Sequence, residues 1–233
     1  MTRTGATPRL CVRYGIHTLS MVGVRHVAIA GNMGVGKSTL TAALAERLAA
    51  RAFYETVDDH PYLERFYEDM RRWSFQSQFF FLSQAFQQHC EILRSDAVCV
   101  QDRTIYEHFH VFAASLHEQR LLDDDDFRVL REHYQSLEAV VPGPDLMIYL
   151  RADVATLQNR IQERDRNCES TVSEGYLRGL EQHYERWMAG YTASDVLIVD
   201  TDDIDIHDPA QREELLTLIE CRVQQRSGAL AVA

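Results

Sequence analysis

No apolar stretch in this chain approaches the roughly 18 residues that span a bilayer, and the first twenty residues hold no continuous apolar segment of the kind a secretion signal needs. Membrane and export roles are set aside on those grounds. Cysteine is sparse as well: the five, at positions 11, 90, 99, 168 and 221, form no C-x-x-C pair and are odd in number. That pattern fits a reducing, cytoplasmic compartment better than a disulfide framework or a zinc site. Basic charge is in deficit, with 24 Lys and Arg against 35 Asp and Glu and a net charge of −11. An acidic surface repels a phosphate backbone, so polymeric nucleic acid is not an expected partner.

Acidic residues are missing from the beginning of the chain. The first is Glu46, and Arg3, Arg9, Arg13 and Arg25 precede it. A transit peptide would share that bias, but a leader outside the fold over residues 1–20 is the preferred reading, with Met21 just before the first strand-like run. The 233 residues, 45% hydrophobic, suffice for one core. One domain over 21–226 is expected, followed by a frayed tail over 227–233.

What is present is concentrated in residues 31–39, GNMGVGKST. The apolar run VRHVAIA precedes them, and TLTAALAERLAA follows with Leu40, Ala43, Leu44 and Leu48 on one helical face. A strand, a Gly-rich loop and a helix start make a phosphate cradle. Gly31, Gly34 and Gly36 let the backbone curl, so that the amides from Asn32, Met33 and Val35 to Thr39 turn toward phosphate oxygens. Lys37 supplies a mobile charge for the β- and γ-phosphates, and Ser38 a hydroxyl for Mg²⁺.

Strand-like segments recur near 26–30, 52–55, 97–101, 146–150 and 195–199 with helical patterning between them. Five parallel strands wrapped by helices are expected. Phe79, Leu82, Phe86, Cys90 and Leu93 form one apolar stripe, and Phe127, Leu130, Tyr134 and Leu137 a second; both read as core. The acidic run Asp123 to Asp126 reads as a helix cap opposing the dipole rather than a metal site, and Asp208 before Pro209 marks a last helix.

Ligands of an open parallel sheet lie beyond the carboxyl ends of its strands. The second strand ends at Glu55, the third at Asp102 and Arg103, the fifth at Asp200 to Asp203. Asp102 stands where a carboxylate would hold Mg²⁺ opposite Ser38, or would cap the helix that follows. Arg103 carries fixed positive charge, and Glu55 could accept a proton from an acceptor hydroxyl. Arg160 and Arg164 lie one turn apart with Arg166 beyond, either as a lid over a triphosphate or as a solvated face neutralised by Glu163 and Asp165.

In order, GNMGVGKST, YETVDDHPYLERFY, RWSFQSQFFFL, QDRTIYE, RIQERDRNCE and VLIVDTDD resemble the deoxynucleoside kinases, and their bacterial deoxyadenosine/deoxyguanosine branch more closely than the animal enzymes, from about Val24 to about Ile204. The resemblance implies a P-loop kinase fold with an Arg-rich lid, ATP as phosphoryl donor, Mg²⁺, and a deoxynucleoside acceptor in a homodimer. It implies that Glu55 meets the 5′-hydroxyl, with Glu55, Asp102, Arg103 and Lys37 catalytic and Ser38 and Asp102 at the metal. It further implies that Tyr67 and Glu169 grip the 3′-hydroxyl, Gln78 reads the base edge, and Phe112 stacks on the base. Arg160, Arg164 and Arg166 match the lid, and Asp202 and Asp203 the loop over adenine.

Two positions depart from that pattern. His108 stands where purine-preferring relatives carry Asp, beside the base, and Cys168 replaces an acid before Glu169. A pyrimidine or broad deoxynucleoside kinase, a thymidylate-type kinase and a silent structural member of the family are the alternatives. His108 and His110 do not share a helical face and are not read as a metal pair.

Overall fold

The computed structural model describes residues 23–164, 172–202, 204–206 and 208–230, with backbone alone at 164 and 228–230. Five strands form one parallel sheet in the order β2-β3-β1-β4-β5. They are β1 (His26–Gly31), β2 (Arg51–Phe53), β3 (Cys99–Asp102), β4 (Leu146–Arg151) and β5 (Asp195–Asp200). Each lies within a few residues of its expected segment. Because β1 is buried on both faces, it reads as a continuous apolar run rather than an alternating one.

The helices divide between the two faces. Ala28, Ala30, Met147 and Tyr149 meet α3 (Met70–Leu93), α6 (Asp124–Glu138), α8 (Glu174–Gly190) and the stretch made of α4 (Ile105–Glu107), a π-helical turn (His108–Ala113) and α5 (Ala114–Glu118). On the other face Val27, Ile29, Ile148 and Leu150 meet α1 (Lys37–Leu48), α7 (Val154–Arg164) and α9 (Pro209–Leu230). Short α2 (Leu63–Glu68) leads into α3. The register pairs Ile29 with Asp102 and Gly31 with Leu150, which brings the end of β3 level with the start of the phosphate loop.

Capping follows the sequence. Asp123 Oδ1 accepts from the Asp126 amide at 2.8 Å, so the acidic run starts α6. Asp208 Oδ1 accepts from the amides of Ala210 and Gln211, with Pro209 in the first turn of α9. That helix continues to Leu230, into the segment expected as a tail. Leu130 and Tyr134 are buried and Phe127 and Leu137 pack against the same core, as the second stripe required.

The first stripe needs correction. Phe79 is 40% and Leu93 46% exposed, while the inward face of α3 carries Ser74, Ser77, Gln78, Leu82, Ala85, His89 and Ile92. The buried face is offset by about one residue because polar groups occupy it. Ser77 is bonded to His60, His89 packs edge-on to His26, and Gln78 borders a cavity. A hydrophobicity pattern places such residues outside; tertiary partners place them inside.

Candidate active site

Residues 31–39 make the turn between β1 and α1. Gly34 sits at φ 78°, in the left-handed region, and a Cβ there would lie 2.8 Å from the Leu157 carbonyl and 2.9 Å from Ile161. Only glycine lets α7 rest on the loop. α1 begins after Gly36 with no side-chain cap and no acid in its first turn. Its leading amides and positive dipole end are therefore left for an anion. Lys37, the only lysine in the chain, is buried and donates to the carbonyls of Gly31 at 2.8 Å and Asn32 at 3.0 Å. Burial and then the Arg103 charge pull its pKa down, against the opposing pull of Asp102, Glu107 and Glu55.

At the end of β3, Asp102 Oδ2 accepts from Ser38 Oγ at 2.6 Å, while Oδ1 is buried with no partner. Burial raises the Asp102 pKa and the nearby Lys37 charge opposes it. Thr104, not Asp102, occupies the N-cap of α4, so the helix-cap reading of Asp102 fails.

Arg103 holds a left-handed backbone, φ 70°, unusual for a side chain of its size, and its amide donates to the Ile29 carbonyl. Its buried guanidinium donates to Glu55 Oε1 at 2.9 Å, lies over the Phe112 ring at 4.3 Å, and places Nε 3.1 Å from Glu107 Oε1.

These groups open on one cavity of about 350 Å³. Met33, Gly34, Lys37 and Ser38 line it from the loop, Glu55, Asp102 and Arg103 from the strand ends, and Tyr67, Gln78, His108 and Phe112 are among its other lining residues. The Gln78 Oε1 is buried without a partner. His108 stacks on Phe81, 5.3 Å between centroids and 9° from parallel. Burial, then the charge of Arg103, pushes the His108 pKa well below the usual value, so the imidazole is neutral. Its Nδ1 is also buried and unpartnered.

The family model described as deoxynucleoside kinase matches residues 27–224. The chain belongs to that family. This kinase is 37% identical over 182 residues to the deoxyadenosine/deoxycytidine kinase of Bacillus subtilis, covering 77% of the one chain and 84% of the other. It is 31% identical over 183 residues to the deoxyguanosine kinase of the same organism, covering 77% and 87%. The structure of deoxyadenosine kinase from M. mycoides with bound dATP superposes with a TM-score of 0.74 at 27% identity, over 84% of this chain and 99% of that one. The kinase is accordingly an ATP-dependent phosphotransferase, and it groups with the bacterial deoxyadenosine/deoxyguanosine kinases.

Two residues expected on the donor side are engaged within the fold. Arg160 donates to Thr201 Oγ1 and to the carbonyls of Thr201 and Ile204, so it ties α7 to the loop after β5. Asp202 Oδ1 accepts from the Asp153 amide at 2.8 Å, and together with Asn32 it lines a separate cleft of about 700 Å³. The Arg164 side chain, Arg166, Cys168, Glu169 and Asp203 lie outside the described residues. Among the described residues no cluster of three or more His, Cys, Asp or Glu is arranged for a metal, the 123–126 run included.

Sequence reasoning missed Glu107, Tyr184, Tyr176 and Phe81. Glu107 had left a signal, an acid four residues after Arg103 inside the apolar stretch IYEHFHVF, which implies burial with a partner. Tyr176 and Phe81, which line the cavity, look like ordinary core residues in sequence.

Proposed function

We propose that this kinase transfers the γ-phosphoryl group of ATP to the 5′-hydroxyl of a purine deoxynucleoside, and that the 350 Å³ cavity receives the nucleoside. The observation that carries this is the meeting of Lys37, Ser38, Asp102, Arg103 and Glu55 on one cavity that Gln78 and Phe112 also line. The acceptor oxygen attacks the γ-phosphorus, the bridging P–O bond to the β-phosphate breaks, and the acceptor proton passes to Glu55. Lys37 and Arg103 balance charge on the transferring oxygens. Gln78 meets the base edge with a donor and an acceptor, Phe112 packs on the ring, and Tyr67 with Glu169 holds the 3′-hydroxyl. Arg164 and Arg166 would meet the triphosphate, with Arg160 tying α7 to the loop after β5, and Asp202 and Asp203 would border the adenine of ATP.

The unpartnered Asp102 Oδ1 beside the Ser38 hydroxyl fits a hard divalent cation. Ser38 and Asp102 would hold Mg²⁺, which when bound would neutralise negative charge on the phosphates.

A panel of deoxyadenosine, deoxyguanosine, deoxycytidine and thymidine, with dTMP beside them and labelled ATP as donor, tests the reading. The two purines are expected to give the highest kcat/KM. Dominant turnover of dTMP would favour a monophosphate kinase, and absence of turnover in a folded sample a structural family member. One observation favours a broader or pyrimidine preference: His108 is neutral where a carboxylate would only accept, so the base-edge inventory differs.

We also propose a cytoplasmic homodimer. Phe79, Leu93, Val129 and Val140 are exposed along α3, α6 and the residue stretch after α6, which suits packing of two copies. Sedimentation at micromolar concentration tests it, and a monomer there would sink it.

A further inference from the structure

Among the described residues Glu107 is the most deeply buried acid near the site, with no exposed surface, and the chemistry above gives it no part. Burying a carboxylate is costly unless other groups satisfy it. Its Oε1 lies 3.1 Å from Arg103 Nε, accepts from the Gly31 amide at 3.4 Å, and accepts from the Tyr184 hydroxyl. That hydroxyl also lies 2.7 Å from the Gly31 carbonyl, and the same carbonyl accepts from Lys37 Nζ at 2.8 Å.

A short chain of contacts therefore runs from Arg103, through one carboxylate and one phenol, to the first residue of the phosphate loop and its lysine. Tyr184 is fully buried on α8, stacked on Tyr149 at 5.7 Å and edge-on to Phe112 at 6.4 Å, which fixes the direction of its hydroxyl. Phe112 is the ring beneath Arg103. Arg103 is thus restrained by Glu55 on one side, Glu107 on the other and an aromatic face, on a backbone that is itself strained.

We propose that Glu107 and Tyr184 are positioning residues of the kinase, a buried strut that sets the placement of the acceptor-side Arg103 against the donor-side loop at Gly31. Neither touches substrate; each acts through Arg103 and the loop. This rests on the kinase reading of the site. Transfer requires the two sides to hold the attacking oxygen and the γ-phosphorus in near-attack geometry, and small misplacements cost rate more than binding.

The test is a double-mutant cycle in the full chain, with folded fraction measured on each sample. Glu107→Gln and Tyr184→Phe are each combined with Arg103→Lys, and kcat and both KM values are read with the best deoxynucleoside. In the native background, kcat per folded protein is expected to fall about tenfold or more, with the KM values changed less than about threefold. In the Arg103→Lys background the same substitutions are expected to cost less than about twofold, because the group they position is already altered. Equal losses in both backgrounds would mark a generic packing role and overturn the proposal, as would native kcat in folded Tyr184→Phe. If Glu107→Gln does not fold, the Tyr184→Phe pair decides alone. Wild-type chain without deoxynucleoside-dependent turnover would sink the kinase reading and this proposal together, whereas a turning-over wild type with an additive cycle would sink the strut only.

Discussion

Ser38 and Asp102, 64 residues apart in sequence, share a hydrogen bond of 2.6 Å across the top of the sheet. The contact exists because β1 and β3 are neighbours and Ile29 is paired with Asp102. In the proposed reaction this hydroxyl and carboxylate would hold the divalent ion. Removing either should weaken metal use: Asp102→Asn is expected to lower kcat by about 10² or more and Ser38→Ala by about tenfold, each with a raised Mg²⁺ requirement. Mg²⁺ titration of the rate at saturating ATP checks this, and an unchanged titration curve in Asp102→Asn would remove the metal role.

Glu55 touches Arg103 at 2.9 Å and opens on the cavity. If it accepts the acceptor proton, Glu55→Gln should lower kcat by about 10² or more while the fold persists. Near-native turnover in that variant would move proton acceptance to Asp102.

Lys37 is the chain's only lysine, and burial lowers its pKa. An amine-directed acylating reagent should therefore modify a single side chain, abolish activity in proportion, and be blocked by ATP. Mass spectrometry beside a rate assay reads both. Full activity in a sample acylated at Lys37 would contradict its part in transfer.

Stability should depend on pH through a buried histidine pair far from the cavity. His26 and His89 meet edge-on at 4.8 Å; burial lowers His26 to about 3, helped by His89, and lowers His89 to about 4. Folded values below the unfolded 6.5 mean that the neutral forms stabilise the fold above pH 6.5, and that this contribution is lost as pH falls toward the folded values. By pH 5 the loss is about 2 kcal/mol for each histidine. Urea midpoints between pH 7.5 and 5 should fall accordingly, and a flat profile would show that the pair accepts protons without cost.

The sequence was legible where a function requires a local pattern. A tight turn between a strand and a helix with positive-φ backbone needs Gly31, Gly34 and Gly36 at fixed spacing, and residues 31–39 make that turn; caps at Asp123 and Asp208 are local in the same way. Strand identity was readable because a buried parallel sheet demands apolar β-branched runs. Strand order was decided by packing, and with it the pairing of Ser38 with Asp102 and of Glu55 with Arg103.

The inward face of α3 and the burial of Glu107 against Tyr184 belong to the tertiary structure for one reason. A polar side chain goes inside only when a distant part of the chain supplies its partner, and hydrophobic periodicity carries no record of that partner. Ser77 needs His60, and Glu107 needs Tyr184 from 77 residues away. The sequence by itself determined where the glycine-rich turn between β1 and α1 lies; the fold decided which charged groups stand around it.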